Sequence, residues 1–124
     1  MNAHNLAYQT YASASSTKSA KDTEIDIILR VTRELKTAGD DRKKNFAKFA
    51  SALQTNRKLW VTLASDVANA QNQLPQDLRA RLFYLAEFVQ SYSSDVLKND
   101  LGIAPLLDIN LAVLRGLGTR AGEP

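Results

Sequence analysis

The prolines and glycines of this chain stand where helices would end, and their placement constrains the fold more than any other feature. They are Gly39, Gly102, Gly116, Gly118 and Gly122, and Pro75, Pro105 and Pro124. Neither residue type interrupts residues 41–73, and the stretch from Pro75 to Gly102 is equally unbroken inside its ends. In a helix interior glycine costs about 1 kcal/mol and proline about 3 kcal/mol relative to alanine. Long stretches free of both, with apolar residues at helical spacing, therefore read as helix. No segment alternates as a half-buried strand does, and no hairpin turn signal stands between apolar runs. The fold class expected is all-α, a bundle or array of four to five helices.

The apolar periods place these helices. Ile25, Ile28, Leu29, Thr32 and Leu35 share one face of a helix over Asp22 to Ala38, with Gly39 as its expected C-terminal stop. Asp40 or Asp41 is the expected cap of the next helix, whose stripe is Phe46, Phe49, Ala50 and Leu53. Lys44 and Lys48 lie opposite that stripe and should face solvent. Phe46, Leu53, Trp60 and Val67 then recur every seven residues, but Asn56 and Arg57 interrupt the seam. A break there, with Thr55 or Asn56 as a new cap, is favoured over one continuous helix. Asn72-Gln73-Leu74-Pro75 marks a firm boundary. Beyond it Leu78, Leu82, Leu85, Val89, Tyr92 and Val96 form a sustained seam over Pro75 to Lys98. A last helix is expected from Pro105 to Arg115, stopped by Gly116 and Gly118. Leu106, Leu107, Ile109, Leu111, Val113 and Leu114 cover most of its circumference, so it must be covered on two sides, one of them open to another chain. Residues 1–22, rich in serine, read as a weakly ordered arm carrying Leu6, Tyr8 and Tyr11. Residues 23–117 form the helical domain and 118–124 a tail.

Composition removes several functions. There is no cysteine and a single histidine, His4, in the arm. Thiolate metal sites, disulfides and cysteine nucleophiles are excluded, and a Ser/His/Asp constellation has only that one imidazole to draw on. No glycine-rich loop is placed to cradle phosphate. No cofactor, no metal and no enzymatic activity are expected. The longest near-apolar run, Ile103 to Leu114, is too short for a membrane span and carries Asp108 and Asn110. Met1 to Ala20 lacks the charged and apolar regions of a secretory signal, so a cytoplasmic protein without membrane attachment is expected. The formal net charge is +3, and six cations (Arg42, Lys43, Lys44, Lys48, Arg57, Lys58) crowd together with no acid among them. Such a stretch suits a solvated helix face or an anionic partner such as RNA.

One ordered set of short segments carries a family resemblance. Asn56-Arg57-Lys58-Leu59-Trp60 is followed by Asp66-Val67, Asn72-Gln73-Leu74-Pro75, Leu78-Arg79-Ala80, Phe88-Val89, Leu107-Asp108-Ile109-Asn110 and Gly116-Leu117. In order and spacing over about residues 50–117 this resembles the flagellar biosynthesis regulator FlaF family. Ala7-Tyr8-Gln9 and the acidic-aliphatic first helix are similar too. Residues 36–48, with much of the basic stretch, find no counterpart. The resemblance implies a small cytoplasmic protein of bacterial flagellum assembly, needed for flagellin production or secretion. It implies a flagellin-binding or chaperone role beside a second regulator, FlbT, and no catalysis.

Physical chemistry offers that role a mechanism. Unassembled flagellin exposes amphipathic terminal helices, which a helical protein with surplus apolar surface shields by helix-in-groove docking. The apolar contributors expected are Trp60, Leu63, Phe83, Leu107, Ile109 and Leu111, with Arg57, Arg79 and Asn110 giving orientation. The alternatives are an RNA-binding regulator of flagellin message using the basic stretch, and a self-associating adaptor using residues 105–115 on a second copy. The sequence leaves the oligomeric state open.

Overall fold

The computed structural model describes residues 16–122, with side chains over residues 22–116. The expectations for His4, Leu6, Tyr8 and Tyr11, and for residues 123–124, lie outside the described residues. Four helices follow one another: α1 (Ser16–Asp40), α2 (Phe46–Ala68), α3 (Gln76–Asn99) and α4 (Ala104–Gly122). The connections are short, which makes consecutive helices antiparallel neighbours. Each helix packs on the next, and α4 also closes on α1. The four form a ring in which α1 and α3, and α2 and α4, stand on the diagonals with no Cα atoms within 8 Å of each other.

The centre of this ring is the expected seam. Ile28, Val31, Leu35 and Ala38 of α1 meet Phe49, Leu53, Trp60 and Val67 of α2, then Ala86, Val89 and Val96 of α3 and Leu106 of α4. The seven-residue period of α2 is buried from Leu53 onward. Its first member, Phe46, is 55% exposed, and Phe49 takes the core position instead. Leu29, assigned by spacing to the buried face of α1, is 37% exposed. Lys44 and Lys48 are exposed as expected.

Several boundaries differ from the sequence reading, each for a local reason. α1 begins at Ser16, inside the stretch read as arm, and runs through Gly39 to Asp40. Gly39 does not stop the helix. It lets α4 approach, because a Cβ there would sit 2.5 Å from Ile103 Cδ1. The cap of α2 is neither Asp40 nor Asp41 but Asn45, whose side-chain oxygen accepts from the Lys48 N–H at 3.1 Å. α2 then continues unbroken past Asn56 to Ala68, so the expected break is absent. Asn56 is fully buried, with a use for its amide other than capping. α3 starts at the Pro75 boundary as expected. Asn72 shapes the preceding turn: its Nδ2 donates to the Asp66 carbonyl at 3.0 Å and its Oδ1 accepts from the Leu74 N–H at 3.0 Å. α4 runs beyond Arg115 through Gly116 and Gly118 to Gly122, so neither glycine is a stop and most of the expected tail is helical. α4 is flanked by this chain's own α1, closely, and by α3, loosely. The two sides expected to need covering thus face this chain's own helices, the α3 side only in part.

One end of the ring is tied by a cation. Arg42, in the turn after α1, donates from Nη1 to the Leu101 carbonyl at 2.8 Å and from Nη2 to Asp100 Oδ1 at 3.0 Å. Its guanidinium also lies 4.3 Å from the Phe49 ring centroid, within cation–π range. Asp100 caps α3 in the left-handed region at φ 53°, a conformation that aspartate tolerates better than most residues. The first member of the basic stretch thus joins two turns remote in sequence. Continuity of α2 has a direct test. Lys58 is exposed, and Lys58→Pro should cost about 3 kcal/mol or more in a helix interior but little in a helix's first turn. Urea unfolding of the two proteins would distinguish these cases.

Candidate partner-binding surface

The polar interruption of the α2 seam faces α4. Asn110 of α4 is completely buried, as are Asn56 and, nearly so, Trp60. The Trp60 indole N–H donates to Asn110 Oδ1 at 2.9 Å. Asn110 Nδ2 donates to Asn56 Oδ1 at 2.8 Å and to Thr32 Oγ1 at 3.0 Å. The Thr32 hydroxyl passes its own proton to the Ile28 carbonyl at 2.6 Å. One amide thereby links α1, α2 and α4 and uses both of its N–H donors. Asn56 Nδ2 and Ser93 Oγ, also buried, find no hydrogen-bond partner among the described residues.

Beside this network, Arg57 clamps α2 to α3. Its Nε donates to Gln90 Oε1 at 3.2 Å, and Gln90 Nε2 donates back to the Arg57 carbonyl at 3.0 Å. Arg79 lies half-buried on α3, with its Nε enclosed and unpartnered. Of the nine residues singled out from sequence, Trp60 and Asn110 belong to the interior and offer no surface in this fold. Leu107 and Ile109 are half-buried against the core. Leu63 lines a groove between α1 and α2. Phe83 and Leu111 are exposed on separate helices, at 44% and 42%. The nine therefore do not form one patch. Nor do the six cations: Arg42 and Arg57 are held by protein acceptors, while Lys43, Lys44, Lys48 and Lys58 are exposed.

Among the described residues, several depressions run along the helices, three of which bear on the site. One, about 430 Å³ between α1 and α2, is mixed in character, with Arg33, Glu34, Lys48 and Thr55 beside Ala38 and Ala52. Nearer the start of α1, a second groove of about 360 Å³ has Ile28, Val31, Leu59 and Leu63 on its floor and Glu24, Arg30, Lys58 and Asp66 on its rims. The third, about 280 Å³ between α3 and α4, is lined almost wholly by apolar groups: Leu74, Leu78, Leu82, Leu85 and Val113, with Arg81 at its edge. Here α3 and α4 meet least closely of the adjacent pairs. Leu78, Leu82 and Leu85 had read as plain core. Their seam is in fact shared between the core and this cleft, and spacing alone does not separate the two.

The interior amide can be tested by substitution. Asn110→Ala leaves the Trp60 N–H and the Asn56 oxygen buried without their partner, at about 1–3 kcal/mol each, so a loss of about 2–6 kcal/mol is expected in denaturant unfolding. Asn110→Asp adds a pH signature. A buried carboxyl has its folded-state pKa raised, so the neutral form, which can still donate, is tolerated at low pH. The penalty appears as pH rises above the ordinary carboxylate range. Relative to the wild type, that variant should be less destabilised at pH 4 than at pH 7.

Among the described residues, no cluster of acidic side chains or histidine is placed to hold a metal ion, and no helix is long and apolar enough to cross a membrane. No curated protein and no solved structure matches the chain. One protein family does, over residues 5–117, which takes in the Asn56–Trp60 segment, the Pro75 boundary and Asn110. The chain belongs to the family described as flagellar protein FlaF.

Proposed function

We propose that this flagellar protein is a cytoplasmic, non-catalytic regulator that binds flagellin and supports its synthesis or secretion. The observation that carries the reading is the open apolar cleft between α3 and α4, lined by Leu74, Leu78, Leu82, Leu85 and Val113. An amphipathic helix laid into such a groove buries one apolar face and leaves its polar face in water. The terminal helices of unassembled flagellin are the segments of that chemistry in a flagellar context. Shielding them would keep the subunit from associating before export. A partner regulator such as FlbT would act beside this complex.

RNA binding has less support from the surface. The basic stretch gives up Arg42 and Arg57 to internal bonds, and of its aromatics Phe46 alone is exposed for stacking, Phe49 and Trp60 being buried.

Leu78→Glu and Val113→Glu place charges on the cleft floor. Each should lower retention of flagellin in a pull-down at least tenfold, with the circular dichroism spectrum unchanged. Phe46→Glu, at an exposed position of α2 remote from the cleft, should retain flagellin normally. Undiminished retention by both cleft variants would overturn the assignment, as would flagellin message retained in place of the protein.

A further inference from the structure

The outer face of α3 carries an aromatic stripe whose centre stands outside the core, with Tyr92 continuing it half-buried against the core and Arg81 bordering the cleft. Tyr84 is 68% exposed and Phe88 36% exposed. Phe88 stacks on Tyr92, with ring centroids 5.5 Å apart and planes 14° from parallel. Tyr92 is itself fixed by donating its hydroxyl to the Gly102 carbonyl at 2.7 Å. Arg81 and Asp95 flank the stripe. Both are exposed, and neither forms an ion pair among the described residues. At 100° per residue the five side chains fall within an arc of about 80°, centred about 120° from the buried line of Ala86, Val89, Ser93 and Val96.

The order of these residues is symmetric about Phe88. Tyr84 and Tyr92 lie four positions to either side, and Arg81 and Asp95 lie seven positions to either side, with opposite charge. Their spacing of three and four is that of a seam between packed helices. In an isologous pair each contact occurs twice, residue against reciprocal residue. Running α3 against itself in antiparallel sense sets Tyr84 beside Tyr92 of the second copy. It also sets Arg81 beside Asp95 of the second copy, twice. A face with charges of one sign at these two positions would repel itself in that arrangement. This one is complementary to itself.

We propose that the chain forms a homodimer through α3, antiparallel, with the two-fold axis passing at Phe88. The occupant of the aromatic face is a second copy of the chain. Two single helices bury less than the roughly 1,200–2,000 Å² of a stable interface, so the dimer is a dissociable one, populated at micromolar to submillimolar concentration. This inference does not rest on flagellin binding, and its test needs only the purified chain.

Sedimentation velocity from about 10 to 500 μM should show a concentration-dependent dimer. Arg81→Asp and Asp95→Arg each create two like-charge contacts and should weaken dimerisation about tenfold. The double variant R81D/D95R restores both pairs and should recover it. Within one chain the two positions are about 21 Å apart along α3, so no internal contact can produce that rescue. The absence of cysteine allows a second readout. Phe88→Cys should cross-link to itself on oxidation. Tyr84→Cys should not, but should cross-link when mixed with Tyr92→Cys. A monomer at 500 μM overturns the proposal, as does a double swap that fails to recover, or equal self-cross-linking at residues 84 and 88.

Discussion

A single carboxamide organises the interior of this protein. Asn110 meets the indole of Trp60, the amide of Asn56 and the hydroxyl of Thr32, and so draws on three of the four helices. Hydrogen bonds of this kind contribute only about 1 kcal/mol each on balance, but leaving their buried partners unmade costs about 1–3 kcal/mol apiece. The interaction therefore acts through what it forbids. Sliding α4 by one turn displaces the amide by about 5.4 Å and strands several buried polar groups at once. Apolar contacts around it, such as Leu106 against the core, are far more tolerant of such a slip. The register of α4 is consequently set by polar chemistry within an apolar core.

That arrangement leaves the fourth helix on different terms. α3 is joined to α2 by the reciprocal Arg57–Gln90 pair and by Ala86, Val89 and Val96 in the core. Toward α4 it is close mainly near the turn, where Tyr92 bonds Gly102 and Arg42 bonds Asp100 and Leu101. The apolar cleft lies on that less closely packed side. The features that give α3 two usable surfaces, the cleft on one flank and the aromatic stripe outside, follow from its exclusion from the Asn110 network. The firmly pinned part of the bundle thus serves as a platform, and the surfaces that remain for other molecules gather on the helix outside it.

Much of this was legible in the sequence. The all-α class, the Pro75 boundary and the α3 seam follow from spacing and from proline geometry, which are local properties. Asn56 and Arg57 show where such reading stops. A polar pair in an apolar seam has the same local appearance whether it caps a new helix or feeds a buried network. What decides is a partner 54 residues away. Gly39 is parallel: as a C-terminal stop and as room for Ile103 it looks identical in one dimension. The apolar excess of α4 was visible, but not that α1 would cover one side closely and α3 leave a cleft on the other. Of the candidate surface, the residue types were legible and their grouping was not. Trp60 and Asn110 are consumed inside, whereas Tyr84 and Phe88 stand outside at spacings that a core seam would also use.

The diagonal position of α2 and α4 gives the Asn110 bonds a mechanical meaning. The two helices have no close backbone approach, so the side chains of Asn56, Trp60 and Asn110 span the gap as a strut of set length. A ring of four rods braced across one diagonal has one remaining way to deform: the unbraced corners move. Here α1 is itself tied in through Thr32, which leaves α3, and displacement of α3 is what would widen or narrow the cleft beside it. The length of one amide side chain in the interior thus gauges the width of a groove on the surface, without touching it.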